Sequence, residues 1–342
     1  RNIFVMKNFP KKRKSAYFFA PGDVRVIENK FPKIEKNAVV IKIKSCMICG
    51  SDLRIFKEGS KRIKPPRIVG HEIAGVVIYS KYKNIKVGDK VALGADIEKK
   101  KDLAFGHELD GGFSEFLYLK NEIVKKAPIA KFNGKISYEE AALSEPLACC
   151  INGFEKINFE PNKIVTIFGC GSIGLMIALL SKKFKSKKII MVDNNQKKLN
   201  LAKKIVNCST IYFSKKNFLK SFLKMNNNLG SDYIFTANSS IETQKMALKI
   251  VSKGAFINFF GGINKKKSKL KIDSNHIHYN EIHITGSHGS NHNQHKKALK
   301  MIEKKQINLK PIITHNFTLD EINKAYKLAM KGEALKISIK PN

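Results

Sequence analysis

Cysteine, arginine and long apolar runs are scarce in this sequence of 342 residues, and tryptophan is absent. Six cysteines in a chain of this length are too few for a disulfide scaffold, which excludes the class of small disulfide-rich secreted proteins. No apolar run approaches the ~20 residues that a membrane-spanning helix needs. The sequence therefore predicts a soluble cytoplasmic protein without a membrane partner, long enough for roughly two domains of ~150 residues each.

Acidic residues are also scarce, with 28 Asp and Glu against 64 Lys and Arg, so the formal net charge is +36. Such an excess can indicate a nucleic-acid partner. However, only six of the basic residues are arginine, which is the side chain preferred for bidentate recognition of bases and phosphates. The lysines are spread along the whole chain beside Asn, Ile and Phe, which share AT-rich codons. A biased genome is the simpler explanation, and we expect no nucleic-acid partner.

The first region of the chain has the pattern of a β domain. From Tyr17 to about Ile123 it consists of short apolar or alternating segments separated by glycine-containing turns, including 38–44, 72–79 and 90–93. No helix-length periodicity competes with these segments, so we expect no helix here.

From about Ser137 the pattern changes to alternating helices and strands. Ser137 and Glu140 are spaced as a capping box at the start of a helix. A strand over 163–168, a helix over 172–184 and a strand over 188–192 follow. This is the βαβ pattern of a doubly wound parallel sheet.

The two ends of the chain differ from these regions. Residues 1–14 are predicted to be a poorly structured basic extension. The last fifty residues are predicted to hold two lysine-rich amphipathic helices and a final strand over 335–339.

The sequence GCGSIG at 169–174 is a G-x-G-x-x-G motif that follows a predicted strand and opens a predicted helix. In that context Gly169 permits the tight turn, Gly171 lets the backbone approach a pyrophosphate, and Gly174 lets the helix pack closely on the strand. Asp193 ends the next strand, about 20 residues beyond the motif, where a carboxylate accepts hydrogen bonds from ribose hydroxyls. Because a carboxylate repels a 2′-phosphate, the motif favours NAD over NADP, although Lys197 and Lys198 lie nearby and would soften that preference.

A cysteine, a histidine and two glutamates have the chemistry of a catalytic zinc site. Cys49 follows a predicted strand, His71 and Glu72 come 22 and 23 residues later, and Glu145 lies farther along. Three protein ligands would leave a fourth position for water or a substrate oxygen, and zinc would lower the pKa of a bound alcohol. Ser51 is placed to accept the proton of that alcohol.

Each of these residues also has an ordinary structural explanation. A lone cysteine is usually a small buried apolar residue, and a His-Glu pair after glycine usually belongs to a turn. Cys46 and Cys49 could form a C-x-x-C redox pair, although the thioredoxin-like setting of that motif is missing. The zinc hypothesis depends on the occurrence of these residues together with a dinucleotide motif.

Five motifs, in this order, resemble the zinc-containing medium-chain alcohol and polyol dehydrogenases: CMICGSD, RIVGHEIAG, KVGDKVAL, EPL and GCGSIG. The resemblance covers about residues 15–342 and is closest to the sorbitol/L-iditol 2-dehydrogenase-like branch. The segments FFGG at 259–262 and IHYNE at 277–281 also resemble that branch.

The resemblance implies an α/β protein in which a GroES-like β domain is interrupted by a Rossmann domain with a doubly wound parallel sheet. Residues 15–153 would form the first part of the catalytic domain, 154–292 the NAD-binding domain, and 293–342 a return to the catalytic domain. Members of the family commonly form homodimers or homotetramers, and we expect one of these states.

The resemblance also implies roles for individual residues. Cys49 and His71 would be zinc ligands, Glu72 a ligand in at least one state, and Glu145 a ligand or a partner of the metal-bound water. Positions that contact the cofactor in the family are matched here by Ile173, Asp193 and Lys198.

Two departures from the family pattern are evident. Many members carry four closely spaced cysteines for a second, structural zinc, whereas this chain has no cysteine between Cys49 and Cys149. We therefore predict one catalytic zinc and no Cys₄ site. Arg54 stands where many relatives have the histidine that completes the proton relay. Because arginine stays protonated, the proton would leave Ser51 through water or the NAD ribose.

The sequence thus predicts an NAD-dependent zinc dehydrogenase that oxidises a secondary alcohol, with a polyol or sugar alcohol as the expected substrate. A threonine or sugar-alcohol-phosphate dehydrogenase of the same family is the first alternative. A zinc-free medium-chain protein that binds nucleic acid or reduces quinones is the second. Six histidines between His276 and His295 have spacings that fit no closed metal site, and we expect ordinary surface or core-edge roles for them.

Overall fold

The computed structural model describes residues 10–35, 37–98, 102–264, 266 and 268–341, which form two compact units. The described residues up to Ala148 and from Gly289 onward form unit 1, and Cys149–His288 form unit 2. Unit 1 is a β domain and unit 2 is a parallel α/β domain, as the sequence predicts for the fold class. The domain boundaries predicted in the sequence analysis, 153/154 and 292/293, lie a few residues after these divisions at 148/149 and 288/289.

Unit 1 is built mainly from short strands. Its described strands are β1 (Lys12–Ala20), β2 (Asp23–Lys30), β3 (Val39–Met47), β4 (Arg67–Ile68), β5 (Glu72–Ser80), β6 (Lys90–Leu93), β7 (Asp96–Glu98), β8 (Leu103–Ala104), β9 (Phe116–Leu119), β10 (Ile129–Phe132), β17 (Ile313–Thr318) and β18 (Lys336–Lys340). Its helices are α1 (Gly50–Glu58), α2 (Asn121–Val124), α3 (Tyr138–Ala142), α10 (His292–Glu303) and α11 (Ile322–Met330), and α4 (Ser144–Glu155) begins in it.

The central sheet of unit 1 joins strands from both ends of the sequence. In the described residues its strand order is β10-β6-β5-β3-β18-β17, and β9 also pairs with β3. Antiparallel pairing of β18 with β3 sets Ser338 opposite Met47 and Ile339 opposite Cys46. The carboxyl end of β3, the start of β5 and the start of β18 are therefore brought together.

The predicted strands 38–44, 72–79 and 90–93 correspond to β3, β5 and β6. The prediction that residues 1–14 are poorly structured is wrong at its carboxyl end, because β1 (Lys12–Ala20) is a strand that pairs with β2. Arg13 is buried there, and Lys12 forms an ion pair with Glu28 on the neighbouring strand. The earlier part of that prediction, residues 1–9, lies outside the described residues.

The prediction that no helix interrupts this region is also wrong, since α1 follows β3 directly. The helix has nine residues, of which only Asp52 and Ile55 are buried, so it is too short to show a clear period in the sequence. Its start is stabilised locally, because Asp52 Oδ2 accepts a hydrogen bond of 2.9 Å from the Cys49 N–H.

Unit 2 alternates strands and helices along the sequence. Its elements are β11 (Ile164–Phe168), α5 (Ser172–Lys183), β12 (Lys188–Asp193), α6 (Gln196–Val206), β13 (Ser209–Tyr212), α7 (Phe218–Met225), β14 (Ser231–Thr236), α8 (Ile241–Ile250), β15 (Val251–Phe259), α9 (Ser274–Tyr279) and β16 (His283–Gly286). Within the described residues the sheet is wholly parallel, in the order β13-β12-β11-β14-β15-β16. This is the Rossmann order, with β11 at the point where the order reverses.

Phenylalanine supplies much of the core of unit 2. Phe168 packs edge-on or tilted against Phe213 and Phe218, and a second group around Phe154 includes Phe235. β11 is buried along its whole length. The glycine loop at its carboxyl end therefore starts from a rigid strand.

None of the helices in the described part of the chain has the length and apolar character needed to cross a membrane.

The capping box at α3 is present as the sequence predicts. Ser137 Oγ accepts from the Glu140 N–H at 3.1 Å, and Glu140 Oε2 accepts from the Ser137 N–H at 3.0 Å. We predict that Ser137→Ala lowers the free energy of unfolding by about 1 kcal/mol because one N–H loses its partner. Urea titration followed by circular dichroism measures this change. Ser239→Ala, at an exposed loop position, is the control and should leave the midpoint unchanged.

Candidate active site

Three side chains of unit 1 bring metal-binding atoms together at the start of β5. Cys49 lies at the amino end of α1, His71 immediately precedes β5, and Glu72 is its first residue. One ligand atom from each of the three lies within 4.8 Å of the others. His71 and Glu72 are buried, and Cys49 is half-buried.

Asp52 orients the ring of His71. Its Oδ1 lies 3.4 Å from His71 Nδ1, and the carboxylate is fully buried. Burial alone would lower the pKa of His71, but the nearby Asp52 and Cys49 raise it well above its usual value. The two atoms make an ion-pair contact and no hydrogen bond, and a proton on Nδ1 beside this carboxylate would leave Nε2 as the atom available to a metal. Ser51 Oγ lies 3.4 Å from that Nε2.

Glu72 is paired on one side only. Its Oε1 is in contact with Nζ of Lys336, a lysine that is only 2% exposed, and this ammonium also lies 3.4 Å from the Ile48 carbonyl. The other oxygen, Oε2, is buried and has no hydrogen-bond partner among the described residues. An unpaired buried carboxylate oxygen is costly unless a cation neutralises it.

Glu145, in the first turn of α4, is a second buried carboxylate near this site. Burial raises the pKa of both Glu72 and Glu145 to about 7. His71 lowers and Cys49 raises the pKa of Glu145, so this carboxylate lies within electrostatic range of both. Among the described residues, however, Glu145 does not belong to the group whose ligand atoms meet within 4.8 Å.

Gly70 makes this arrangement possible. Its φ is +88°, and an added Cβ would lie 2.9 Å from both Cys46 Sγ and the Phe113 ring. The backbone N–H groups of Gly111 and Gly112 donate to Ile68 and Gly70 carbonyls at 2.7 and 2.8 Å. The segment 68–70, which precedes His71, is thus fixed both by close packing at Gly70 and by hydrogen bonds from Gly111 and Gly112.

The donor set fits zinc. A thiolate, an imidazole and a carboxylate are the ligand types that zinc prefers, and three protein ligands are typical of catalytic sites. The unpaired Oε2 of Glu72 agrees with a cation at this position.

The glycine loop of unit 2 has the geometry that the motif predicts. Gly169 has φ +110°, and an added Cβ at Gly174 would lie 1.8 Å from the Gly169 carbonyl oxygen. An added Cβ at Gly171, by contrast, meets no described atom within 4 Å. The loop therefore packs tightly at its two ends and is open in the middle, next to the first free N–H groups of α5.

Asp193 ends β12 beside this loop. Its Oδ2 accepts a hydrogen bond of 2.7 Å from the Cys170 N–H, and its Oδ1 accepts one of 2.9 Å from the Asn195 N–H. Ile173 lies in the first turn of α5 and Lys198 in that of α6, and both are half-buried. The four nucleotide-binding features predicted from the sequence therefore lie at one edge of the parallel sheet.

Comparison with known proteins places both units in known families. Residues 35–129 match the alcohol dehydrogenase GroES-like domain, and residues 172–304 match the zinc-binding dehydrogenase domain. D-arabinitol dehydrogenase 1 of Uromyces fabae is 27% identical over 98% of this chain and 99% of its own. Sorbitol dehydrogenase of Bacillus subtilis is 26% identical over 97% and 98%. The crystal structure of 2R,3R-butanediol dehydrogenase from Bacillus subtilis superposes with a TM-score of 0.87 at 23% identity, over 96% of this chain and all of the other.

The chain belongs to the zinc-containing medium-chain alcohol and polyol dehydrogenases. It is therefore an oxidoreductase with a GroES-like and a Rossmann domain, and the family assignment made from the five motifs is confirmed.

This dehydrogenase stabilises the loop between β6 and β9 without cysteine. Arg62 forms two hydrogen bonds with Glu108, from Nε to Oε1 at 2.7 Å and from Nη2 to Oε2 at 2.9 Å. Arg62 Nη2 also donates to the Asp102 carbonyl at 2.8 Å, and the Ala104 N–H donates to Glu108 at 3.0 Å. Although burial raises the pKa of Glu108, these hydrogen bonds outweigh it and leave that pKa below its usual value.

Three polar residues of the dehydrogenase's site were not found by sequence reasoning. Asp52 stands three residues after Cys49, and its spacing was a usable signal because an acidic residue at that helix position commonly caps the helix. Lys336 could not be distinguished among so many lysines. His107, whose ring centroid is 5.6 Å from that of His71, lies outside the motifs.

The histidine-rich segment of the enzyme contributes no residue to the group at Cys49, His71 and Glu72. His295 is fully buried, with Nε2 3.0 Å from Ser144 Oγ, and burial lowers its pKa to about 3. His276 Nε2 lies 2.7 Å from the Leu248 carbonyl.

We predict that Gly174→Ala unfolds the dehydrogenase at a markedly lower temperature, because the added methyl group would overlap the Gly169 carbonyl. Gly171→Ala is the matched control, since its methyl group enters open space and its φ of −74° suits any residue. Differential scanning calorimetry of both variants measures the effect. Equal midpoints for the two would contradict the close packing described for Gly174.

Proposed function

We propose that this enzyme uses NAD to oxidise a secondary alcohol group of a polyol or sugar alcohol to a ketone. The observation that carries the proposal is the meeting of Cys49, His71 and Glu72, with one unpaired buried carboxylate oxygen, in a chain that also has the glycine loop of a dinucleotide site. Neither site alone would specify an alcohol dehydrogenase.

Cys49, His71 and Glu72 would hold the zinc, and Glu145 would bind the water or alcohol on the metal. When bound, zinc supplies Lewis acidity, which lowers the pKa of an alcohol so that its alkoxide can release hydride. Asp52 fixes the ring of His71, and Lys336 fixes one oxygen of Glu72. The ligand atoms of His71 and Glu72 are thereby oriented by contacts within the protein.

Ser51 would take the proton of the alcohol. Its hydroxyl lies on the Nε2 side of His71, which is the side available to the metal. Arg54 is exposed and cannot act as a base, so the proton would pass from Ser51 to water or to the ribose of the cofactor.

The glycine loop, Ile173 and Lys198 would bind the dinucleotide, with its pyrophosphate at the amino end of α5. Asp193 would accept hydrogen bonds from the adenosine ribose and would repel a 2′-phosphate, so we propose NAD as the preferred cofactor.

The choice of a polyol draws support from the names of two of the similar proteins, D-arabinitol dehydrogenase 1 and sorbitol dehydrogenase. A threonine or sugar-alcohol-phosphate dehydrogenase would use the same metal and cofactor residues and differ only in the substrate. The zinc-free alternative would have no use for the buried cluster of Cys49, His71 and Glu72.

We predict that Cys49→Ser removes the bound zinc and lowers the rate of NADH formation by about a hundredfold or more, because the metal loses its thiolate ligand. Zinc content is measured by atomic absorption and NADH affinity by fluorescence. NADH affinity should be unchanged, since no nucleotide-binding residue is altered. Cys208→Ser, at a half-buried cysteine in unit 2, is the control. Normal turnover in Cys49→Ser would contradict the metal assignment.

The experiment that tests the proposal is NADH formation across a panel of alcohols, with and without a zinc chelator. The panel contains sorbitol, L-iditol, xylitol, galactitol, threonine and polyol phosphates, each with NAD and with NADP. We expect a chelator-sensitive signal with NAD on a polyol. A signal restricted to threonine or to a phosphorylated polyol would select the first alternative, and a preference for NADP would contradict the role of Asp193.

Protein that contains no zinc and is inactive on the whole panel would instead favour the zinc-free alternative. A DNA-binding titration at several salt concentrations then tests that alternative. Binding through many phosphate contacts gives a steep dependence of affinity on salt. We expect no measurable binding at moderate salt.

A further inference from the structure

One polar side chain beside the zinc-ligand cluster has no role in the function proposed above. His107 follows β8, and its ring lies 5.6 Å from the His71 ring, centroid to centroid, at an interplanar angle of 53°. Asp52 contacts His71, Lys336 contacts Glu72, and Ser51 lies next to His71 Nε2. His107 also lies next to His71, but it takes part in none of these contacts.

The orientation of His107 is set by its own backbone. Nδ1 lies 3.2 Å from the Phe105 carbonyl, which can only accept, so Nδ1 carries the hydrogen. Nε2 makes no hydrogen bond to any described residue, and the side chain is half-buried. One nitrogen is thus anchored, and the other, on a ring that lies 5.6 Å from the ring of His71, makes no hydrogen bond to a described residue.

The loop that carries His107 is held firmly. Gly106 has φ +71°, and an added Cβ would lie 2.7 Å from the Gly70 carbonyl, so the loop packs directly on the backbone that precedes His71. On the other side, Glu108 is held by the two hydrogen bonds from Arg62. A residue between two fixed neighbours keeps its position, which is what selective recognition of a small group requires.

A simple secondary alcohol has no second polar group to bind His107. A vicinal diol has one, because the hydroxyl on the adjacent carbon is near the hydroxyl that is oxidised. We propose that His107 Nε2 hydrogen-bonds this second hydroxyl and thereby selects vicinal diols over monoalcohols. The inference rests on the proposed function and names the residue that recognises the second hydroxyl group of its substrate. His107 is a specificity residue in this proposal, and the metal and proton roles remain with the residues named above.

The test compares wild type with His107→Phe, which keeps a ring and removes the hydrogen bond, and with His107→Gln, which keeps a polar group. The substrates are 2,3-butanediol and 2-butanol with NAD. We expect His107→Phe to lower kcat/KM for the diol about tenfold or more, mainly through KM, and to leave 2-butanol within about twofold. His107→Gln should recover much of the diol activity. His278→Phe, at a histidine of α9 in unit 2, is the matched control.

A second readout does not depend on turnover. Replacement of zinc by Co²⁺ gives visible absorption bands, and titration with the diol follows its binding near the metal. We expect the diol to bind His107→Phe about tenfold more weakly than wild type, with unchanged metal content. If His107→Phe does not fold, His107→Ala, which only removes atoms, takes its place in both measurements.

Two results would overturn the inference. Equal losses for diol and monoalcohol would mean that His107 only supports His71, and unchanged values for both would mean that it contacts neither. If the zinc-loaded wild type oxidises neither of these two alcohols, the polyol panel described above decides the proposed function, and the Co²⁺ titration still decides the role of His107. Equal diol affinity of wild type and His107→Phe in that titration would contradict the inference without any measurement of turnover.

Discussion

The burial of Lys336 against Glu72 is the interaction on which the cluster of Cys49, His71 and Glu72 depends. Neither charge could stay ionised alone in a position with almost no solvent contact, because desolvation of a single ion is not compensated. Lys336 balances one of the negative charges buried here, and a divalent cation would balance others. The ammonium also contacts only one oxygen of Glu72, which leaves Oε2 for the metal.

The sequence predicts well those features that depend on local spacing. The motif at 169–174 specifies a strand, a turn and a helix within a few residues, and Asp193 follows at a fixed distance, so the order of residues along the chain is enough to place the glycine loop and Asp193 beside each other. Cys49, His71 and Glu72 were selected by residue type and by resemblance to a family. Their meeting within 4.8 Å depends on the pairing of β3 with β5, which spacing alone does not reveal.

The features that sequence reasoning missed depend on contacts between distant segments. Lys336 is separated from Glu72 by 264 residues, and nothing in its neighbourhood distinguishes it from the exposed lysines. His107 lies near His71 only because the loop that carries it packs on Gly70. The short helix α1 was missed for the opposite reason, since its start is marked by a local cap at Cys49 and Asp52 and its nine residues are too few to show a repeating apolar face in the sequence.

The absence of cysteine from the loop between β6 and β9 affects how a chelation experiment on the enzyme is interpreted. Arg62 and Glu108 are joined by two parallel hydrogen bonds, a geometry that is stronger than a single ion pair and needs no metal or oxidant. With no cysteine between Cys49 and Cys149, a chelator has no Cys₄ site to attack in this loop. Loss of activity on chelation therefore reports on the cluster at Cys49 and not on the integrity of the loop.

The place of β18 between β3 and β17 has a consequence for the order in which the protein is made. Unit 2 is a continuous segment of the chain and is synthesised in full before residue 289, whereas the sheet of unit 1 lacks an inner strand until residues 336–340 emerge. Until then Glu72 lacks its ammonium partner. Every residue of the Rossmann domain is therefore synthesised before the strand that brings Lys336 to Glu72, and a chain that ends before Lys336 contains the whole parallel sheet but lacks the ammonium group that balances the buried Glu72 carboxylate.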